Sequence, residues 1–115
     1  MTQVYIKRAY DAPASGDGQR ILVDRLWPRG LTHEELDAAL WLKEIAPTDA
    51  LRHWFGHDPE KWDEFRRRYN AELDDNPGPV KELRAQIDAG PVTLLYAAKD
   101  EQHNNAVALL AYLDQ

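Results

Sequence analysis

Two short apolar runs constrain the fold of this chain more than any other feature of its sequence. They are residues 21–23 (ILV) and 92–98 (VTLLYAA), and continuous apolar runs of this kind are typical of strands that are covered on both faces. Residues 4–10 (VYIKRAY) alternate between apolar and polar side chains, which predicts a further strand with one face better buried than the other.

Helix signals fill the space between these strands. Thr32 and Glu35 form a capping-box pattern that predicts a helical region to about residue 45, and Asp58-Pro59 predicts the start of another helix. Further helices are expected at about 79–89 and after Asp100, which would cap the last one. The long helical connection between the second and third strands allows them to run parallel.

The sequence therefore predicts a small three-layer α/β domain. Its sheet should be short and mainly parallel, with three strands at about 4–10, 21–27 and 92–98, and helices should flank it. At 115 residues with 43% hydrophobic side chains, the chain is long enough for one core, so we expect one domain over residues 1–115.

The charge and composition of the chain restrict which binding partners and which cellular location we expect. The formal net charge of −6 disfavours nucleic acids and anionic membrane surfaces. The sequence has no cysteine, no apolar run long enough to cross a bilayer and no signal-peptide pattern before VYIKRAY, so we expect a soluble, cytoplasmic protein. The oligomeric state stays open.

Polar residues follow each predicted strand, at the edge of the sheet where ligands gather in open α/β folds. The candidate ligand-binding residues are Arg8, Arg25, Trp27, Arg29, Lys99, Asp100, His103 and Asn104. The arginines, together with the free amides at the start of the last helix, suit a carboxylate, phosphate or sulfate. The sequence therefore predicts a site for a small anionic molecule, and it specifies no cofactor.

Asp24 and His103 are the candidates for catalysis, because burial of either could tune its pKa for general acid-base chemistry. Asp24 also has a purely structural interpretation, as a buried carboxylate paired with a neighbouring arginine. Trp27 could equally fill the core, and Asp100 could act only as a helix cap. Enzymatic activity is therefore left open.

His53 and His57 suggest a metal ion, since imidazoles four residues apart followed by Asp58 offer ligands that zinc accepts. Gly56 argues against this site, because a short helix that ends at Gly56 would not place both imidazoles on one face. We therefore expect no metal, with His53 and His57 as weak candidates.

Three segments together closely resemble the YeaO-like branch of the domain of unknown function family 488: DGQRILVDRLWPRG, WLKEIAPTDALRHWFGHDPEKWDEF and VTLLYAAKDEQHNNAVALLAYL. The resemblance implies an α/β fold and a bacterial cytosolic setting, and it supplies no mechanism. Longer relatives often carry a Cys-His-Arg element near the start of the last helix, whereas this chain has EQHNNA. Chemistry that depends on that cysteine would be lost here.

Two other functions are weighed against the anion site. Four tryptophans could serve a non-catalytic interaction module if Trp41 or Trp54 is exposed to a protein partner. A transcriptional regulator, as similar proteins are sometimes labelled, is less favoured, because the chain is acidic and lacks a clear helix-turn-helix.

Overall fold

The computed structural model describes residues 3–114, and in that range it contains a parallel sheet of four strands. The strands are β1 (Val4–Arg8), β2 (Gln19–Leu22), β3 (Leu40–Trp41) and β4 (Val92–Tyr96), in the order β1-β4-β2-β3. All three neighbouring pairs are parallel. The predicted α/β class with a parallel sheet is confirmed, but the expected number of strands is wrong, because β3 adds a fourth at one edge.

Five α-helices accompany the sheet in the described residues. They are α1 (His33–Leu36), α2 (Asp49–Phe55), α3 (Trp62–Asp74), α4 (Pro77–Ala89) and α5 (Asn105–Leu113). Gly56 ends α2 in the left-handed conformation with φ 55°, and the Asp58 side chain accepts the amide of Glu60 ahead of α3, as the sequence predicts. No helix within residues 3–114 has both the length and the apolar character that a membrane crossing requires.

The second strand lies earlier in the sequence than predicted. β2 ends at Leu22, so Asp24 and the residues after it lie beyond the strand. The start of β2 was missed because Arg20, a charged residue, precedes the apolar run that predicts the strand. Arg20 is nevertheless only 4% exposed, and it forms an ion pair with Asp17 at 2.7 Å. β1 and β4 also end two residues before their predicted limits of 10 and 98.

The helical region predicted from Thr32 to about residue 45 is wrong beyond its first turn. The capping box is present, with Glu35 N donating to Thr32 Oγ1 at 3.1 Å and Thr32 N donating to Glu35 Oε1 at 3.0 Å. The helix ends after Leu36, because Asp37 adopts the left-handed conformation with φ 51°. The chain then pairs with β2 as β3, so tertiary pairing overrides the local helical spacing.

The two faces of the sheet are covered unequally. One face carries Ile21 and Leu94 and packs against α2 to α5 in the larger hydrophobic core. The opposite face carries Leu22 and Leu95 and packs against Leu36 of α1 in a smaller cluster. Alternate residues of a strand point to opposite faces, which separates the two clusters. Because α1 is a single turn, the cover on this second face is thin.

A polar cluster lies on this thinner face, and we call Lys7, Asp17 and Arg20 the Asp17 cluster. Lys7 Nζ lies 2.8 Å from Asp17 Oδ1, and Arg20 Nη1 lies 2.7 Å from Asp17 Oδ2. The Ala14 amide donates to Asp17 Oδ2 at 3.1 Å, and Arg20 donates twice to the carbonyl of Leu36. The hydrogen bond from Lys7 is the largest cause that lowers the pKa of Asp17 to about 2.

The strand register brings three carboxyl ends to one edge of the sheet. Arg8 of β1 pairs with Tyr96 of β4, and Leu22 of β2 pairs with Leu95 of β4. The segments that follow β1, β2 and β4 therefore leave the sheet side by side. In parallel α/β sheets this edge is the usual place for a ligand site.

Candidate functional site

A cavity of about 390 Å³ opens at this edge, and we call it the strand-end cavity. The segments after β1, β2 and β4 contribute Tyr10, residues 24–29 and residues 97–98 to its wall. The opposite wall comes from residues 46–47 and from α2 and its C-terminal turn. Its volume lies within the range of small-molecule pockets, roughly 300–1,000 Å³.

Five of the nine residues that the sequence proposed for the site line this cavity. They are Asp24, Arg25, Trp27, Arg29 and Asn104. The other four, Arg8, Lys99, Asp100 and His103, are not among its lining residues. The end of the second strand and the start of the last helix therefore meet at one cavity, as the parallel topology predicts.

Arg8 joins two strand ends instead of facing the cavity. Its Nε donates to the carbonyl of Ala98 at 3.0 Å and its Nη2 donates to the carbonyl of Ala97 at 3.4 Å. The guanidinium lies 5.2 Å from the centre of the Tyr10 ring. These contacts give Arg8 a structural role in fixing the segment after β4. Lys99, which belongs to that segment, is exposed to solvent.

Asp24 supplies a carboxylate to the cavity. Its Oδ2 accepts the amide of Ala97 at 2.9 Å, which ties the segment after β2 to the segment after β4. The ion pairs within residues 3–114 do not include Asp24, so the predicted alternative of a structural pair with an arginine is wrong. Burial is the main cause that raises the pKa of Asp24, and the Ala97 amide, the Asn105 side chain and the charges of Arg52 and His57 oppose it in part.

Four basic side chains line the same cavity: Arg25, Arg29, Arg52 and His57. Arg25 donates from Nε and Nη2 to the carbonyls of residues 47 and 46, at 3.3 and 3.2 Å. These bonds fix the guanidinium and leave its Nη1 without a protein partner in the described part of the chain. Arg52 pairs with Asp49 at 3.2 Å on an exposed surface, and Arg29 is also exposed. Guanidinium groups are planar donors that match carboxylate and phosphate oxygens.

Trp27 contributes both to the cavity wall and to the smaller core. Its Nε1 donates to the carbonyl of Leu31 at 2.7 Å. Its ring lies 4.3 Å from that of His33 and 5.4 Å from that of Trp41, measured between centres. The structural interpretation of Trp27 and the ligand-binding one are therefore compatible.

The last helix begins at Asn105, and its N-cap is Asn104, whose Oδ1 accepts an amide of the first turn at 3.0 Å. The prediction that Asp100 caps this helix is wrong. Asp100 Oδ1 instead accepts the amides of Gln102 and His103, at 2.9 and 3.0 Å, in a separate turn. Asn and Asp are equivalent N-caps, so the sequence pattern did not distinguish the two positions.

His103 is held away from the cavity by this turn. Its Nδ1 lies 2.9 Å from Asp100 Oδ2, and its ring packs edge-on against Trp62 with centres 5.2 Å apart. The amide of Gln102 is the first cause that lowers the pKa of Asp100, and the His103 side chain adds to it. His103 therefore has a carboxylate partner but no position on the cavity wall.

Among the cavity residues that were not predicted as ligand-binding are Arg52, His57 and Asn105. Asn105 follows the candidate Asn104 directly, and its Nδ2 donates to the carbonyl of Val23 at 3.0 Å. His57 follows Gly56, which ends α2, and adopts the left-handed conformation with φ 58°. Arg52 carried no sequence signal, because the place of α2 depends on packing against α3.

The metal hypothesis finds little geometric support. His57 lines the cavity, whereas His53 is an exposed residue of α2 outside it. Within residues 3–114, His, Cys, Asp and Glu form no group of three or more that could hold a metal ion.

The two tryptophans considered for a partner surface differ in exposure. Trp41 is 37% exposed, and its Nε1 donates to the carbonyl of Asp24 at 2.8 Å. Trp54 is half-buried, with the Arg68 guanidinium 4.1 Å and the Lys61 ammonium 5.1 Å from its ring centre. An interaction module that uses Trp41 stays a hypothesis, and Trp54 is covered by its own neighbours.

Comparison with known proteins gives relatives without an assigned activity. A family model, DUF488-N3i, described as the inactive DUF488-N3 subclade, matches residues 3–115. The chain is 41% identical over 110 residues to the uncharacterized protein YeaO of Escherichia coli, covering 96% of each. It is 37% identical over 113 residues to an uncharacterized protein of Mycobacterium tuberculosis, covering 98% of this chain and 95% of the relative. No solved structure matches the chain at a significant level.

Proposed function

This chain belongs to the DUF488 family, in its DUF488-N3i group, and from that premise we propose that it binds a small anion in the strand-end cavity without converting it. The description of the group contains the word inactive, which favours binding over catalysis. The names of the relatives assign them neither a ligand nor a reaction.

One observation carries the proposal: three arginines and a histidine converge on a cavity that holds a single carboxylate, Asp24. The whole chain has a formal net charge of −6, so this local excess of positive charge is opposite in sign to the rest of the molecule. Long-range repulsion disfavours polyanions such as nucleic acids, while a small anion can reach the guanidinium groups.

The donors of the cavity are partly oriented before a ligand arrives. The carbonyls of residues 46 and 47 hold Arg25 in place, which reduces the side-chain entropy that binding would cost. The start of α5 adds a weak positive potential at the same wall. These features favour a carboxylate or phosphate group over a neutral ligand.

The lining residues offer no strong nucleophile. The sequence contains no cysteine, and no serine or threonine is among the residues that line the cavity. Of the two candidates for acid-base chemistry, His103 lies outside the cavity, and Asp24, which lines it, has one oxygen held by a backbone amide. The chemistry of this wall therefore suits recognition without bond breaking.

Isothermal titration calorimetry with phosphate, sulfate and benzoate tests the proposal. We expect at least one of these anions to bind the wild-type protein, and Arg52→Gln and Arg29→Gln each to weaken it by about tenfold, because each removes a charged hydrogen-bond donor. The matched control is Arg66→Gln, since Arg66 lies on α3 and does not line the cavity. Equal binding by all four proteins, or none by the wild type, would refute the assignment.

A further inference from the structure

The strand-end cavity has an apolar part that an inorganic anion would leave unused. Trp27, Phe55 and Phe65 are among the residues that line the cavity, and the rings of Phe55 and Phe65 stack with their centres 4.3 Å apart. The volume of about 390 Å³ corresponds to the liquid volume of about a dozen water molecules, several times the space that a tetrahedral anion fills. Apolar surface gains free energy only when a ligand covers it and displaces water.

Asp24 imposes a second requirement on the ligand. Its Oδ2 accepts the Ala97 amide at 2.9 Å, the Asn105 side chain lies close enough to lower its pKa, and no ion pair within the described residues neutralises it. Asp24 is one of the residues that line the cavity, so a ligand there lies beside its carboxylate. A carboxylate in this place repels a bare anion, but it binds strongly to an N–H or O–H group of the ligand.

The arginines therefore favour an acidic group on the ligand, whereas Asp24 favours a hydrogen-bond donor. Aromatic side chains line the same cavity. A ligand satisfies all of them only if its acidic group and its donor are separated by an apolar body. A flat ring has the shape to lie against aromatic side chains and holds its substituents apart.

We propose that the ligand is a small aromatic acid that carries a hydrogen-bond donor away from its acidic group. The carboxylate or phosphate contacts Arg29 and Arg52, the ring lies against Trp27 and Phe55, and the donor binds Asp24. This inference rests on the proposed function and names the chemical class of the ligand that the cavity takes.

The test measures dissociation constants for a graded set of probes. Inorganic phosphate and acetate carry the acidic group alone, and phenyl phosphate and phenylacetate add the ring and distinguish the two acidic groups. The 3-hydroxy and 4-hydroxy derivatives of phenylacetate add a donor, and their methoxy counterparts remove it again. Indole-3-acetate and its 1-methyl derivative form a second matched pair with an N–H donor.

We expect the ring to improve binding at least tenfold over the matching inorganic or aliphatic anion, and a donor to add about tenfold in at least one matched pair. In Asp24→Asn, which can still accept the Ala97 amide, we expect the donor-bearing and methylated probes to bind within about twofold of each other. Asp88→Asn is the matched control, because Asp88 is an exposed residue of α4, and it should keep the wild-type preference.

The outcomes separate this inference from the proposed function. If anions bind through the arginines but the ring or the donor gives no gain, the ligand class is wrong and the anion site stands. The same conclusion follows if Asp24→Asn keeps the donor preference. If no probe binds the wild-type protein, both the anion site and the ligand class are overturned. Circular dichroism of each variant establishes that a lost preference reflects the site and not unfolding.

Discussion

Asp17 and Asp24 lie on either side of β2, yet their surroundings are opposite. Asp17 is 7% exposed and is bonded to Lys7, Arg20 and the Ala14 amide. Asp24 has one backbone donor, no ion pair within the described residues and a cavity beside it. The pKa of Asp17 is lowered to about 2, whereas burial raises the pKa of Asp24.

The comparison shows how a structural carboxylate differs from a candidate functional one. In the Asp17 cluster the fold itself satisfies the charge, so nothing is left for a ligand to bind. At Asp24 the fold desolvates a carboxylate without neutralising it, and such a group in a cavity is a common mark of a functional site. The two aspartates should therefore respond oppositely to the same substitution.

The largest effect is expected for Asp17→Asn. The change leaves the guanidinium of Arg20, which is 4% exposed, without its counter-charge, and we expect a loss of about 3 kcal/mol in the free energy of unfolding. Urea unfolding at pH 7 measures this loss. The control Asp88→Asn should change stability by less than about 0.5 kcal/mol, because that residue is exposed. A loss below about 1 kcal/mol in Asp17→Asn would show that the cluster is not structural.

A smaller effect is expected when acid removes the charge of Asp17. The folded state holds its pKa at about 2 against an ordinary value of 3.8, so the ionised form stabilises the fold above about pH 4. This contribution is lost as the pH falls from about 4 to about 2, and solvent screening limits it to roughly 1–2 kcal/mol. The difference between the stability curves of wild type and Asp17→Asn, followed by urea unfolding against pH, should shrink across that window. A constant difference would contradict the assigned pKa.

The smallest effect, with the opposite sign, is expected for Asp24→Asn. Because burial raises the folded pKa of Asp24, its favourable contribution is present below pH 3.8 and is lost as the pH rises through the folded pKa. Above that folded pKa the wild type carries a desolvated charge, and at pH 7 the variant should be as stable or more stable, by up to about 1 kcal/mol. Urea unfolding at pH 7 and at pH 4 checks this sign. A loss of more than about 1 kcal/mol would make Asp24 a structural residue like Asp17.

The convergence of strand ends could be predicted from the sequence, because it depends only on parallel pairing. Once the apolar runs of β2 and β4 are parallel neighbours, Arg25, Arg29 and Asn104 must leave the sheet at one edge. The α/β class follows from the same runs. Both predictions succeed because they depend on the apolar runs, which are local sequence features.

Other parts of the structure depend on long-range contacts that local patterns do not encode. β3 has two residues and exists because it pairs with β2, so its helical spacing misled the prediction. Arg20 can occupy a buried position in β2 because Asp17 neutralises its charge. A prediction based on apolar runs does not place a charged residue in a buried strand. Arg52 reaches the cavity because Phe55 of α2 stacks on Phe65 of α3, a contact that no spacing reveals.

Hydrogen bonds join the segments that follow β1, β2 and β4 and the start of α5, among them Ala97 to Asp24, Asn105 to the carbonyl of Val23, and Arg8 to the carbonyl of Ala98. They hold the segments that line the cavity against one another, so we expect the cavity to keep its shape when a ligand binds. A cavity of fixed shape should admit different ligands at similar association rates, so their differences in affinity should lie mostly in their dissociation rates.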